Sequence, residues 1–111
     1  MQYLLLIATD STAPELPSDD TTIVDWVEEV DRRGIGRFGD RLRPTSDSKT
    51  IKVREGTLSV TDGPFVETKE WIAGIDILEC DSFDEAIDVA SRHPMARYGQ
   101  IEIRPFWPLN L

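Results

Sequence analysis

The residues best able to do chemistry lie in one short stretch, VTDGPFVETKE, which runs from Val60 to Glu70. Asp62 precedes a Gly-Pro corner that would hold its carboxylate at a sharp bend, where the group could act as a catalytic acid or base or bind a ligand. The competing structural interpretation is an Asx turn, in which Asp62 accepts backbone N–H bonds and builds the corner itself. Phe65 is a candidate ligand-binding wall or, alternatively, an aromatic anchor for the corner.

Two charged residues follow within the same stretch. Glu67 and Lys69 share a parity, so that both could point into a cleft. There Lys69 would attract an anionic ligand. A solvated surface ion pair is the alternative, and such a pair contributes little to stability.

A second candidate carboxylate lies within an apolar strand. Asp76 is flanked by Ile75 and Ile77, and a buried carboxylate must either find a partner or shift its pKa upward. It could serve as the catalytic acid or base of a cavity between sheets. It could equally form a salt bridge across the sheet or a dimer interface, with Arg104 or Arg54 as partner.

The one histidine of the chain, His93, is a further candidate for ligand binding, together with Arg97. His93 lies near a helix C-terminus, where the helix dipole favours imidazolium, and this placement favours a structural role. A single histidine and a single cysteine cannot build a zinc site within one chain. A Mg²⁺ or Ca²⁺ site built from carboxylates alone is the alternative, but no EF-hand spacing is present, and we expect neither a metal nor a cofactor.

Composition limits the possible partners. The 111 residues predict one domain, 1–111, and the net charge of −9, from 21 acidic and 12 basic residues, argues against nucleic acid and against anionic membrane surfaces. No apolar run is long enough to span a bilayer or to form a signal core, so we expect a cytoplasmic protein. The lone Cys80 is expected to be a buried structural thiol.

The periodicity predicts the order strand, helix, hairpin, strand, helix, strand, which is typical of a ferredoxin-like split βαβ fold of the α+β class with an inserted β-hairpin. The first helix is predicted to begin after Asp20 and to stop at Gly34, with one apolar stripe formed by Ile23, Trp26, Val27 and Val30. A glycine-rich, irregular segment follows at 34–44. The second helix begins at the capping box that opens with Ser82 and ends at Pro94. One of its faces carries Phe83, Ala86, Ile87 and Ala90.

The hairpin turns at Glu55-Gly56. The predicted strands are 3–8, 51–54, 57–61, 71–80 and 100–104, with a further short one at 38–42.

Two of the predicted strands, 3–8 and 71–80, carry apolar side chains at both odd and even positions, so both of their faces are apolar. This pattern is typical of strands that are covered on both faces. Two helices can cover only one face of such a sheet. A second subunit would cover the other face, and we therefore predict a homodimer that packs sheet to sheet into an α/β barrel. The alternative is a monomer in which the loop at 34–50 and the tail at 105–108 close the second face.

The stretch from Val60 to Glu70 resembles the signature of the DGPF branch of the YCII-related family. Further similar segments lie at 3–7, 82–86, 93–99 and 102–105. The resemblance implies a ferredoxin-like fold and a dimeric α/β barrel in a family that is mostly uncharacterised. A His–Asp pair has been proposed as catalytic in the founding branch, with its histidine near the first helix. Here the first helix contains no histidine, so that pair has no counterpart at the expected position.

Two classes of function remain open. In the first, the chain is a small-molecule-binding module or regulator with a cavity at the dimer sheet interface, lined by Asp62, Phe65, Lys69 and Asp76. In the second, it is a cofactor-free enzyme that transfers a proton on a small organic acid, in the manner of an isomerase or a lyase, with Asp62 or Asp76 as the base. The missing first-helix histidine favours the first class.

Overall fold

The computed structural model describes all 111 residues, which form six strands, three helices and one short 3₁₀ turn at Thr45–Asp47. In chain order the elements are β1 (Gln2–Ala8), α1 (Thr22–Arg32), β2 (Gly36–Arg41), β3 (Lys49–Arg54), β4 (Thr57–Asp62), β5 (Ile72–Glu79), α2 (Phe83–Ser91), α3 (Met95–Tyr98) and β6 (Gln100–Pro105). None of these helices is both long and apolar enough to cross a membrane.

The main sheet has four strands in the order β2-β5-β1-β6, and each neighbouring pair is antiparallel. The helical segments connect β1 to β2 and β5 to β6, which is the split βαβ arrangement of a ferredoxin-like fold. The fold class predicted from the sequence is therefore confirmed. The inserted hairpin, β3 and β4, forms a separate two-stranded sheet.

The central strand β1 separates a helix-covered face from an outer face. Tyr3, Leu5 and Ile7 lie in the core with the helices and are at most 5% exposed. Leu4 and Leu6 point to the outer face, where they are only half-buried. Within a single chain, therefore, the helices cover only the face of β1 that carries the odd-numbered residues. The apolar face that carries Leu4 and Leu6 is left open.

Only half of the apolar stripe predicted on α1 is buried. Trp26 and Val30 are buried at 4% and 5% exposure, whereas Ile23 and Val27 remain 41% and 45% exposed. The helix thus contacts the sheet along a narrower line than its sequence pattern suggested. The part of α1 near Val27 instead borders an open cavity.

The capping box predicted for α2 is present, because the Ser82 hydroxyl accepts a hydrogen bond from the backbone N–H of Glu85 at 3.1 Å. Its buried face differs from the prediction. Val89 is fully buried, while Phe83 and Ile87, both expected in the core, are 41% and 49% exposed. The C-terminal turn of α2 contacts α1, because the carbonyl of Val89 accepts a hydrogen bond from Trp26 Nε1.

The hairpin turns at Glu55 and Gly56, both of which have positive φ. Its apolar face contains Ile51, Val53, Leu58 and Val60, and each of these side chains is more than half exposed. The C-terminal tail is also exposed, with Trp107 at 94%. The radius of gyration, 16.3 Å, exceeds the roughly 13 Å expected for a compact chain of this length. Within the chain, therefore, Trp107 does not cover the outer face of the sheet.

Candidate functional site

The register of the sheet places Asp76 on the helix-covered face. In β5 it lies opposite Leu5 of β1, and directly opposed residues of an antiparallel pair point to the same side. Because Leu5 is fully buried beneath the helices, the carboxylate also points towards them. The Asp76 side chain is 20% exposed.

The expected salt bridge of Asp76 is not formed. Arg104 instead lies 3.7 Å from Glu102, on the outer face of β6, and Arg54 belongs to the separate hairpin sheet. With no cation or hydrogen-bond donor of the chain against it, the carboxylate is only desolvated, and this desolvation raises the pKa of Asp76 to about 6.

His93 lies next to the Asp76 carboxylate. The histidine follows α2, is 7% exposed, and accepts a hydrogen bond at Nδ1 from the backbone N–H of Met95 at 3.0 Å. This bond uses the Nδ1 lone pair and places the proton of the neutral ring on Nε2. The Nε2 atom lies 4.0 Å from Asp76 Oδ2.

Burial, rather than the helix dipole, decides the charge of His93. Desolvation lowers the pKa of His93 to about 4, so the imidazolium expected from its place at a helix end is wrong. At pH 7 the ring is neutral, and its contact with Asp76 is not an ion pair. A separation of 4.0 Å is also too long for a direct hydrogen bond.

Trp26 holds this arrangement in place. Its indole Nε1 donates to the carbonyl of Val89 at 2.9 Å and so ties α1 to the end of α2. The indole also packs edge-to-face against the His93 imidazole, with ring centroids 4.7 Å apart. The histidine therefore has a fixed orientation, set by Trp26 on one side and by Met95 on another.

A cavity of about 240 Å³ opens between α1, β2 and β5. Asp76 contributes the buried carboxylate, and apolar side chains of α1, including Trp26 and Val30, form one wall. Asp31 and Arg37 also line the cavity, and both are exposed. The lining mixes apolar and charged side chains, and the volume lies just below the roughly 300–1,000 Å³ of typical ligand pockets, so the cavity would suit only a small molecule.

The prominent corner at Asp62 is arranged differently. The Asp62 side chain is 83% exposed and accepts a hydrogen bond from Lys49 Nζ at 2.5 Å, so it does not form the expected Asx turn. The corner is built by the backbone instead, since Gly63 adopts a φ of +95° and its N–H donates to the carbonyl of Ser48. Phe65 is 85% exposed and anchors nothing within the chain.

The other predicted ligand-binding residues are also at the surface. Glu67 and Lys69 are exposed, and they do not form an ion pair with each other. Arg97 is exposed and lines a separate polar depression of about 430 Å³, to which His93 and Thr22 also contribute. The fold thus brings Asp76 and His93 together, whereas Arg97 shares with His93 only the separate polar depression.

Sequence reasoning missed two residues that line this cavity, Trp26 of α1 and Gly39 of β2. Trp26 appeared only as part of an apolar stripe, and Gly39 only as part of a glycine-rich segment. No local signal marks either residue, because their roles depend on the packing of α1 against α2 and on the pairing of β2 with β5. Cys80, by contrast, is buried as expected, at 2% exposure.

The chain is similar to known proteins over almost its whole length. The sequence model of the YCII-related domain family matches residues 1–110 of the chain. An uncharacterized protein of Rhizobium meliloti (strain 1021) is 34% identical over 113 residues, which cover 95% of this chain and 91% of that relative.

Proposed function

The chain belongs to the YCII-related domain family, and from that premise we propose that it binds a small organic molecule in the cavity beside Asp76. The observation that supports this most strongly is a desolvated carboxylate that receives no donor from its own chain. Burying such a group without a partner is unfavourable. A ligand that supplies an O–H or N–H donor would provide the missing partner.

The lining of the cavity suggests what such a ligand looks like. The wall formed by Trp26, Val27 and Val30 suits an apolar or flat body of modest size. One polar group of that body would donate a hydrogen bond to the Asp76 carboxylate. A hydroxyl or an N–H group would supply this donor. His93 lines the separate polar depression and not this cavity.

Proton transfer is the second candidate, and the titration of Asp76 favours it. A pKa of about 6 leaves the group mainly ionised at pH 7 but close enough to neutrality to take up and release a proton. This chemistry needs no cofactor and would suit isomerisation or elimination on a small organic acid.

We also propose that the chain is a member of the DGPF branch and acts as a homodimer. The motif at Asp62–Phe65 supports the branch. The open outer face of the sheet, with Leu4, Leu6 and Ile75 only half-buried, supports pairing with a second copy, sheet to sheet. Asp76 faces the helices, so the proposed ligand cavity is separate from this dimer face.

A ligand-observed NMR screen of small organic compounds would test binding. Wild-type protein is expected to give saturation-transfer signals that Asp76→Asn weakens strongly, because the amide would replace one acceptor oxygen with a donor. Asp62→Asn is the matched control and should leave the signals intact. Binding that is equal in wild type and Asp76→Asn would contradict the proposed site.

Incubation of small organic acids in D₂O would test proton transfer. If Asp76 is a base, the wild-type protein should catalyse the exchange of a carbon-bound proton of its substrate for deuterium. Asp76→Asn should abolish this exchange, while Asp62→Asn should not. Ligand binding without any deuterium incorporation would favour the binding module over the enzyme.

A further inference from the structure

We propose that Gly39 is a positioning residue: its missing side chain forms the notch that seats the carboxylate of Asp76. The two residues lie directly opposite each other on β2 and β5. A Cβ atom built on Gly39 would lie only 1.9 Å from Asp76 Oδ1 and 3.0 Å from its Cγ. The carboxylate therefore occupies the space that any other residue at position 39 would fill.

Space, and not backbone conformation, requires glycine at this position. The glycines with positive φ are Gly34, Gly56 and Gly63, and Gly39 is not among them. An alanine could adopt the backbone angles of Gly39, so the clash with Asp76 is the only obstacle. Gly36, on the same strand, differs because its Cβ would meet Val30 Cγ1 at 2.6 Å, which is a matter of helix packing.

The notch sets the orientation of the Asp76 carboxylate, with Oδ1 towards Gly39 and Oδ2 towards His93. In an ordinary antiparallel pair, opposed side chains stand side by side, roughly 5 Å apart at Cβ. Here the Asp76 side chain leans across Gly39, so that Oδ1 lies against β2 while Oδ2 lies 4.0 Å from His93 Nε2. A methyl group at position 39 would push the carboxylate out of this orientation and change its distance from His93.

A double-mutant cycle tests this steric link without any ligand. The variants are Gly39→Ala, Asp76→Ala and the two combined, each followed by urea denaturation. Because the clash is with the Asp76 side chain, Gly39→Ala should lower the urea midpoint strongly in the wild-type background and little in the Asp76→Ala background. An equal loss in both backgrounds would overturn the proposal.

A second readout follows the carboxylate itself. Carbon-13 NMR titration of the Asp76 side chain in Gly39→Ala should move its midpoint by about one pH unit from that of wild type, a tenfold change in proton affinity. An unchanged midpoint in a folded Gly39→Ala protein would show that the notch does not position the carboxylate.

The functional part of this inference rests on the proposed function. A compound that binds wild type is expected to bind Gly39→Ala about tenfold more weakly, and unchanged affinity would count against the positioning role. The absence of any binding compound would instead contradict the proposed function. The cycle and the titration would still decide the role of Gly39, so the two failures are distinguishable.

Discussion

Asp76 and Asp62 are both aspartates on β-strands, yet their surroundings give them opposite properties. Asp76 lies beneath the helices, is 20% exposed, and has its pKa raised to about 6 by desolvation. Asp62 lies at the end of the hairpin, is 83% exposed, and pairs with Lys49 in solvent. Burial, rather than the prominence of the surrounding motif, makes Asp76 the carboxylate on which the proposed site is built.

The same contrast holds for the two sheets that carry these residues. The four-stranded sheet has a helix-covered face with a core that includes Leu5, Leu78 and Trp26. The hairpin has an apolar face with no cover, and Ile51 is 68% exposed. An isolated two-stranded hairpin is at best marginally stable in water. We therefore expect substitutions in the two regions to differ sharply in their effects.

The largest expected effect is on stability. Trp26→Ala should lower the free energy of unfolding by about 3–5 kcal/mol, because it removes a buried aromatic side chain together with its hydrogen bond to Val89. Val53→Ala in the hairpin should cost less than about 1 kcal/mol, since that side chain is 58% exposed. Urea denaturation would measure both, and similar losses would contradict the contrast between the two regions.

The next effect is a pH dependence of opposite sign for Asp76 and His93. The folded state raises the pKa of Asp76 from 3.8 to about 6. Between these two pH values the folded protein binds more protons than the unfolded chain, so the free energy of unfolding falls as pH rises. The folded state lowers the pKa of His93 from 6.5 to about 4, so stability rises with pH there. Each contribution is about 3 kcal/mol at most, and in wild type the two largely cancel.

Single substitutions should reveal the two contributions. Relative to wild type, Asp76→Asn should become more stable as pH rises from about 4 to about 6, because the cost of ionising a buried carboxylate is gone. His93→Gln should become relatively less stable as pH rises from about 4 to 6.5. Urea denaturation across this range would measure both, with Asp62→Asn as the control, and parallel curves for all variants would refute the assignment.

A smaller energetic effect, but a clear change in mass, is expected at the outer face. If two copies pair there, light scattering of wild type should give twice the chain mass of 12.6 kDa. Ile75→Lys should give the monomer mass, because it places a charge in the paired apolar face. Lys52→Glu, on the polar side of the hairpin, is the control, and a monomeric wild type at micromolar concentration would eliminate the dimer.

The smallest effect is expected at the corner. Asp62→Asn should change the free energy of unfolding by less than about 1 kcal/mol, because it breaks only an exposed ion pair with Lys49. Lys49→Gln should have the same small effect. A loss above about 2 kcal/mol from either substitution would show that the corner depends on this pair.

Much of the fold could be predicted because its signals are local. The serine and glutamate of the capping box lie three residues apart, and Glu55-Gly56 marks the hairpin turn within two residues. The short helix α3 was missed, because it follows Pro94, which was interpreted only as the end of α2. A proline at a helix start is as natural as one after a helix end.

The site could be predicted only in part. The apolar neighbours of Asp76 indicated burial, but its direction depended on pairing with Leu5, which is far away in sequence. The charge state of His93 was predicted wrongly, because its helix-end position was visible in the sequence while its burial against Trp26 was not. The role of Gly39 depends on the same kind of long-range register.

The most direct test of the central claim is a carbon-13 NMR titration of the Asp76 carboxyl group in the wild-type protein. The structure predicts a midpoint of about pH 6, well above the value of 3.8 for a solvated aspartate. A midpoint near 3.8 would mean that Asp76 is solvated much as an exposed aspartate is, and it would contradict the desolvated carboxylate on which the proposed site depends.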